Sequence, residues 1–238
     1  MTSDRGPARD ASAAITGAVA AVRSRIAAAA RAAGRDPGTV RLVVVTKGQT
    51  PDVLPALRAA GVECCGEHRI DHLEQMRAAA SDLRFAYIGR VQSRQLPAVV
   101  RLADSLHSLA DPSHLDRLVA AVHAAGKAPF PVFVQVNLFA DAAKAGGGAD
   151  QAASLVEAAR RHAALEVCGL MTMAPLREAS SDQALADGFA ATAVLAKRLG
   201  LSRLSMGMSG DVELAIAHGA TDVRIGTACF PPSLQQSP

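Results

Sequence analysis

The strongest constraint on how this chain can fold is an alternation. From residue 41 onward, short apolar runs take turns with longer stretches of helical periodicity. The runs fall at 41–46, 62–65, 84–88, 104–107, 131–137, 165–171, 202–206 and 221–225, and helical patterns fill the gaps at 52–60, 68–80, 92–102, 112–125, 150–163, 181–199 and 211–218. Strands joined by helix-length crossovers pair in parallel, and eight of them suit a closed barrel better than an open doubly wound sheet of about five or six. An Ala-rich helix at 12–33 precedes the first strand and stops at Gly34, ahead of Asp36 and Pro37. The pattern predicts one α/β domain, a (β/α)8 TIM barrel over 12–230 with an extra N-terminal helix and flexible tails at 1–11 and 231–238.

Composition narrows the function classes. The 238 residues match the roughly 250 of a single such barrel, and 50% hydrophobic with 20% charged residues can bury a core. The 25 basic residues are balanced by 22 acidic ones and scattered, and one Tyr, six Phe and no Trp provide no stacking platform, which argues against nucleic acid as a ligand. Cys64, Cys65, Cys168 and Cys229 contain no C-x-x-C pair, so neither a zinc site nor a disulfide framework is expected. The start MTSDRGPARD lacks the apolar core of a signal peptide, and no uninterrupted apolar stretch reaches the length of a membrane span. The expected setting is a reducing cytoplasm.

A parallel barrel carries its chemistry at the carboxyl ends of its strands, and here those ends are polar or glycine-bearing. Lys47, one of only four lysines, shares a strand face with Val43 and Val45 and should end that inward row at the barrel mouth. Burial there would lower a lysine pKa by up to about 3 to 5 units and free an amine for imine formation. The competing reading is an ordinary strand-end lysine in water. The segment Leu204–Gly219 reads as strand, glycine turn and helix, and its Ser205, Gly207, Met208 and Ser209, together with Gly226 and Thr227 after the last strand, can form an anion cradle. A helix dipole contributes about 0.3 to 1 kcal/mol against about 1.5 to 3 for each hydrogen bond to a charged group, so the bonds must dominate. Ser209 and Asp211 merely capping a helix is the alternative. Arg224 should point into the barrel and needs an acceptor, either a carboxylate or a ring atom of a ligand. Glu67, His68 and His72 read as a helix start with a solvated face and no third metal ligand. Gly146–Gly148 lacks a nucleotide-loop pattern. His114, His123, His162 and His218 read as helix-surface or satisfied structural histidines.

The segments LVVVTKGQ (42–49), GEHRIDHLEQM (66–76), YIGRVQSRQ (87–95), LHSLAD (106–111), VFVQVNL (132–138), AKAGG (143–147), GLMTMAP (169–175) and LSMGMSGDVELAIAHGATDVRIGTACF (204–230) together resemble the pyridoxal phosphate homeostasis proteins, whose fold is the amino-terminal barrel of alanine racemase. The resemblance implies that Lys47 holds pyridoxal 5′-phosphate (PLP) as a Schiff base. It implies that Ser205, Gly207, Met208, Ser209, Gly226 and Thr227 hold the phosphate, and that Arg224 faces the pyridine nitrogen. An arginine in that place leaves the ring nitrogen largely unprotonated and the cofactor a poor electron sink. Departures from the family pattern are His68 for an asparagine, also taken as a cofactor contact, Arg90, Arg94 and Gln95 in the I-G-x-x-Q segment, Ala143 and Ala145 beside Lys144, and Pro231 for a glycine.

The resemblance further implies a PLP-binding protein of intracellular vitamin B6 homeostasis without substantial catalysis, delivering cofactor to PLP-dependent apoenzymes, and a small barrel with complete βα units is expected to be monomeric. A racemase of this fold needs a second domain bearing an opposing tyrosine, whereas this sequence stops at Pro238 and has only Tyr87. The alternatives are a single-domain, racemase-like PLP enzyme acting on amino acids and a lysine-imine aldolase acting on a phosphosugar.

Overall fold

The computed structural model describes residues 7–139 and 146–234. Helix α1 (Pro7–Ala32) leads into β1 (Arg41–Val45), α2 (Leu54–Ala59), β2 (Cys64–Glu67), α3 (Ile70–Ala79), β3 (Arg84–Tyr87), α4 (Leu96–Leu102), β4 (Ser105–Leu109), α5 (Leu115–Ala125) and β5 (Phe130–Gln135). The chain continues through α6 (Ala149–Arg160), β6 (Leu165–Met171), α7 (Asp182–Arg198), β7 (Arg203–Ser205), α8 (Val212–Ala217) and β8 (Asp222–Ile225). All eight strands are parallel and close into a barrel in sequence order, β8 returning to β1.

The two faces of each strand explain the closure. Val44, Cys65, Phe85, Leu106, Val132, Val134, Leu170 and Val223 point outward into the main core between barrel and helices. His107, Phe133, Met171, Ser205 and Arg224 turn to the axis and fill the interior. At the amino-terminal end of the barrel the buried Asp222 carboxylate pairs with Arg203 and accepts the Thr221 hydroxyl at 2.7 Å, while the Arg203 guanidinium lies 4.8 Å above the Phe133 ring.

Four features differ from the sequence expectation. Helix α1 begins at Pro7, inside the expected tail, where proline fits a first helical turn because its missing N–H would have no partner there. Strand β2 lies two residues later than its apolar run, so Gly66 and Glu67 belong to the strand and Glu67 is fully buried. Pro232–Leu234 forms a docked turn rather than a tail, with the Gln49 side-chain amide donating to the Leu234 carbonyl at 2.9 Å. By length and composition alone, Asp10–Ala32 could cross a membrane, which a search for uninterrupted apolar runs misses because alanine carries the hydropathy. Its stripe of Ile15, Val19, Val22, Ile26 and Ala30 is instead buried against the barrel layer. Arg23 donates to the carbonyls of Ala60 and Gly61 at 2.6 and 2.5 Å, and Arg25 pairs with Glu213 at 2.6 Å.

Candidate functional site

β1 aims its last residues at the axis. A Cβ placed on Gly66 would lie 3.1 Å from Val43 Cγ1 and 3.5 Å from Val45 Cγ2, so both valines face the interior beside β2. Lys47 continues that row just beyond the strand, in a tight turn closed by the Gln49 N–H donating to the Thr46 carbonyl at 3.0 Å, with Gly48 at φ +74°. The expected burial of Lys47 is not there: its side chain is exposed, and among the described residues no hydrogen bond or ion pair engages its amine. His68 stands close enough to feel Lys47. Burial, opposed by Glu67 and reinforced by Lys47, holds the His68 imidazole below its ordinary value, so it is neutral at pH 7. The His68 backbone is fixed by the Tyr87 hydroxyl, which donates to its carbonyl at 3.1 Å, and by Gly89, where a Cβ would fall 2.2 Å from that same oxygen.

The cradle lies on the neighbouring strands. Gly207 has φ +97° and an added Cβ would sit 2.8 Å from the Ala215 Cβ, so only glycine fits where the turn meets α8. Gly207→Ala should lower stability by about 2 to 4 kcal/mol, and hence the melting temperature by roughly 5 to 15 °C, as read by a calorimetric melt. Arg25 and Arg177 take the carbonyls of Ser209 and Gly210 at 3.0 and 2.8 Å from the outside. Among the described residues no acceptor takes the amides of Gly207, Ser209 or Gly226. The Met208 amide behaves differently, donating to Asp211 Oδ1 at 2.5 Å; Asp211 is buried, and that burial pushes its carboxyl up. Asp211 therefore folds back on the turn instead of capping α8 by its side chain. With only six residues, α8 has a small dipole, and the backbone amides are the cradle's main resource. Gly226 follows β8 and packs against Val45, its absent Cβ 3.4 Å from the Val45 carbonyl, and Thr227 next to it is exposed. The turn bearing Lys47 and the edge of the cradle are thus neighbours.

Below the mouth lies Arg224. Its Nη1 donates to the Ser205 carbonyl at 2.6 Å and to Ser205 Oγ at 2.9 Å, and its Nη2 donates to the Thr172 carbonyl at 2.8 Å. Among the described residues no carboxylate pairs with it. Burial lowers its pKa to about 10, with Asp211 and Asp222 opposing. Ser205 Oγ, which accepts from Arg224, also lies 2.9 Å from His107 Nδ1. Burial takes the His107 pKa to about 3, so it stays neutral. Its ring lies 4.2 Å from that of Phe133. The Ser205 hydroxyl is consumed inside the barrel, where it holds Arg224.

Sequence reasoning misjudged two histidines. His72 is no solvated-face residue: its Nδ1 is 2.8 Å from the fully buried Glu67 carboxylate and its Nε2 is 2.7 Å from the Gln49 carbonyl. His114 is buried, with Nε2 3.9 Å from Asp111 and Nδ1 without a partner among the described residues. Of the departures from the family pattern, Gln95 closes a capping box with Gln92, Arg94 donates to the Gln92 side chain at 3.0 Å and Arg90 is exposed. Ala143, Lys144 and Ala145 lie outside the described residues.

The family model "Alanine racemase, N-terminal domain" matches residues 18–233 of this parallel barrel, which places the chain in that class. Within that class, the chain belongs to the pyridoxal phosphate homeostasis protein family. It is 35% identical to the pyridoxal phosphate homeostasis protein of Pseudomonas aeruginosa over 89% of this chain and 93% of that one, and 32% identical to that of Mycobacterium tuberculosis over the full length of both. Among solved structures it is similar to PipY of Synechococcus elongatus with PLP bound, at TM-score 0.80 and 27% identity, covering 91% of this chain and all of that one.

Proposed function

We propose that this chain binds pyridoxal 5′-phosphate at the barrel mouth and serves cytoplasmic PLP homeostasis as a monomeric carrier, releasing cofactor to PLP-dependent apoenzymes rather than turning over a substrate. The observation that carries this reading is the adjacency of an unengaged primary amine, Lys47, to the amide of Gly226, unpartnered among the described residues and packed on Val45 two residues before the lysine. The family's named role and the PLP held by PipY support the same assignment.

The residues present suit the cofactor. When bound, it supplies an aldehyde that condenses reversibly with a primary amine, and a ring able to withdraw electrons. Lys47 presents that amine from a fixed turn and leaves it exposed, so it would meet the aldehyde through proximity to a cofactor held on the cradle. The amides of Gly207, Ser209 and Gly226, with the hydroxyls of Ser209 and Thr227, receive the phosphate; Met208 lines the turn while its own amide stays on Asp211. Arg224 has three of its five N–H groups engaged by protein, and the remaining two can act as donors only, which would oppose protonation of a ring nitrogen. Ser205 acts through Arg224. Neutral His68 borders the ring beside Lys47. Tyr87, the sole tyrosine, is buried with its hydroxyl donated to His68 and cannot serve as an opposing base, which favours carriage over racemisation.

The purified protein should show an imine band near about 420 nm that hydroxylamine removes, with no turnover of D- or L-amino acids above trace. Absence of the band, or racemisation at ordinary enzymatic rates, would falsify the carrier reading.

A further inference from the structure

The turn that presents Lys47 is clamped at both ends by one side-chain ring. The Thr46 hydroxyl donates to Glu67 Oε1, Glu67 Oε2 meets His72 Nδ1 at 2.8 Å, and His72 Nε2 meets the Gln49 carbonyl at 2.7 Å. The backbone bond from Gln49 N–H to the Thr46 carbonyl closes the circuit. Thr46 and Glu67 are completely buried and the His72 side chain is 19% exposed, so water competes little for these bonds. The Gln49 carbonyl accepts only, so His72 Nε2 donates to it, and with Glu67 ionised the carboxylate also accepts only and the ring donates from both nitrogens.

We propose that His72 is a positioning residue which, as an imidazolium spanning Glu67 and Gln49, latches the 46–49 turn in the conformation that presents Lys47 to the cofactor, and that losing its proton loosens the turn and weakens cofactor capture.

The surrounding charges agree with this. Burial disfavours the charged ring, but the bonds to Glu67 and Gln49 and the Asp71 carboxylate outweigh it and hold the imidazole above its ordinary value. Besides Glu67 on β2 and Asp71 on α3, His72 couples to the His68 imidazole, which also feels Lys47 and Arg69, and the helical turn at 51–53 that packs against α3 carries Asp52. Since the folded value is raised, the contribution is fully present below the ordinary imidazole range and disappears as pH rises through the raised value. The effect on capture rests on Lys47 being the cofactor's anchor; the latch itself does not.

The test separates the two. In cofactor-free protein, nitrogen-15 spectra should show both His72 nitrogens protonated below the ring's raised titration point. His72→Gln, which cannot donate to both acceptors, should reduce the exchange protection of the Gln49 amide about tenfold and weaken PLP binding by a similar factor. Wild-type protection, corrected for intrinsic exchange, should fall as His72 titrates, and the variant should lack that step. A neutral His72 ring at acidic-to-neutral pH, or unchanged protection in His72→Gln, overturns the latch. If the variant does not fold, the wild-type pH series decides alone. Should wild type show the latch yet bind no PLP, the proposed function fails and the effect on capture falls with it.

Discussion

Lys47→Ala removes the band near about 420 nm altogether and weakens PLP binding by about a thousandfold, while leaving the melting temperature within a degree or two of wild type. The two halves of that result have different origins. The amine makes no hydrogen bond or ion pair with the described residues and its side chain is exposed, so truncation opens no cavity and orphans no partner. Stability therefore has little to lose. Binding loses its only covalent bond and must rely on the cradle amides, whose individual net contributions of about 1.5 to 3 kcal/mol are partly offset by the cost of stripping water from a dianion. Lys47→Arg sharpens the comparison, because it keeps the positive charge next to His68 but has no amine that condenses with an aldehyde. Equilibrium dialysis of both variants, with spectra, checks it. If Lys47→Arg retains the band, or Lys47→Ala binds within tenfold of wild type, the anchoring group is another residue.

The features legible in the sequence were those set by local pattern. Strands β1, β6 and β8 lie within one residue of their apolar runs because their ends coincide with changes in polarity. β2 was misplaced because half of it, Gly66 and Glu67, carries no apolar signal; it pairs as a strand through register with Val44 and Val45. The glycine turn at 207 was legible because a positive φ beside a small-residue contact leaves a trace in residue type. Partnerships across the barrel left none. Ser205 and His107 are 98 residues apart, and only closure of the sheet turns their strands inward towards each other. The same holds for His72: its spacing from His68 suggests one exposed helix face, yet what it contacts depends on where β2 ends. Depth at the mouth was equally invisible, which is why Lys47 was expected to be buried and is exposed.

Arg203→Met should cost about 3 to 5 kcal/mol, a drop of roughly 10 °C or more in melting temperature, although Arg203 lies well below the mouth. Its partner Asp222 is 2% exposed, and without the guanidinium the Thr221 hydroxyl is the one group among the described residues still hydrogen-bonded to that carboxylate. A buried charge stripped of its counter-ion carries its desolvation cost uncompensated, and the Phe133 ring also loses the cation above it. The damage reaches the cradle because β7 and β8 register directly at a single pair, Ser205 with Asp222, and the turn at 207 and the step at 226 grow from those two strands. PLP affinity should therefore fall along with stability, whereas in Lys47→Ala it falls alone. Arg203→Met combined with Asp222→Leu removes both charges and should recover most of the lost stability, since a buried pair replaced by apolar groups of similar size is often neutral. Urea unfolding of the two single variants and the double closes the cycle. A cost below about 1 kcal/mol for Arg203→Met would mean that the backbone bonds between Leu204, Met206, Thr221 and Asp222 hold this seam without the ion pair.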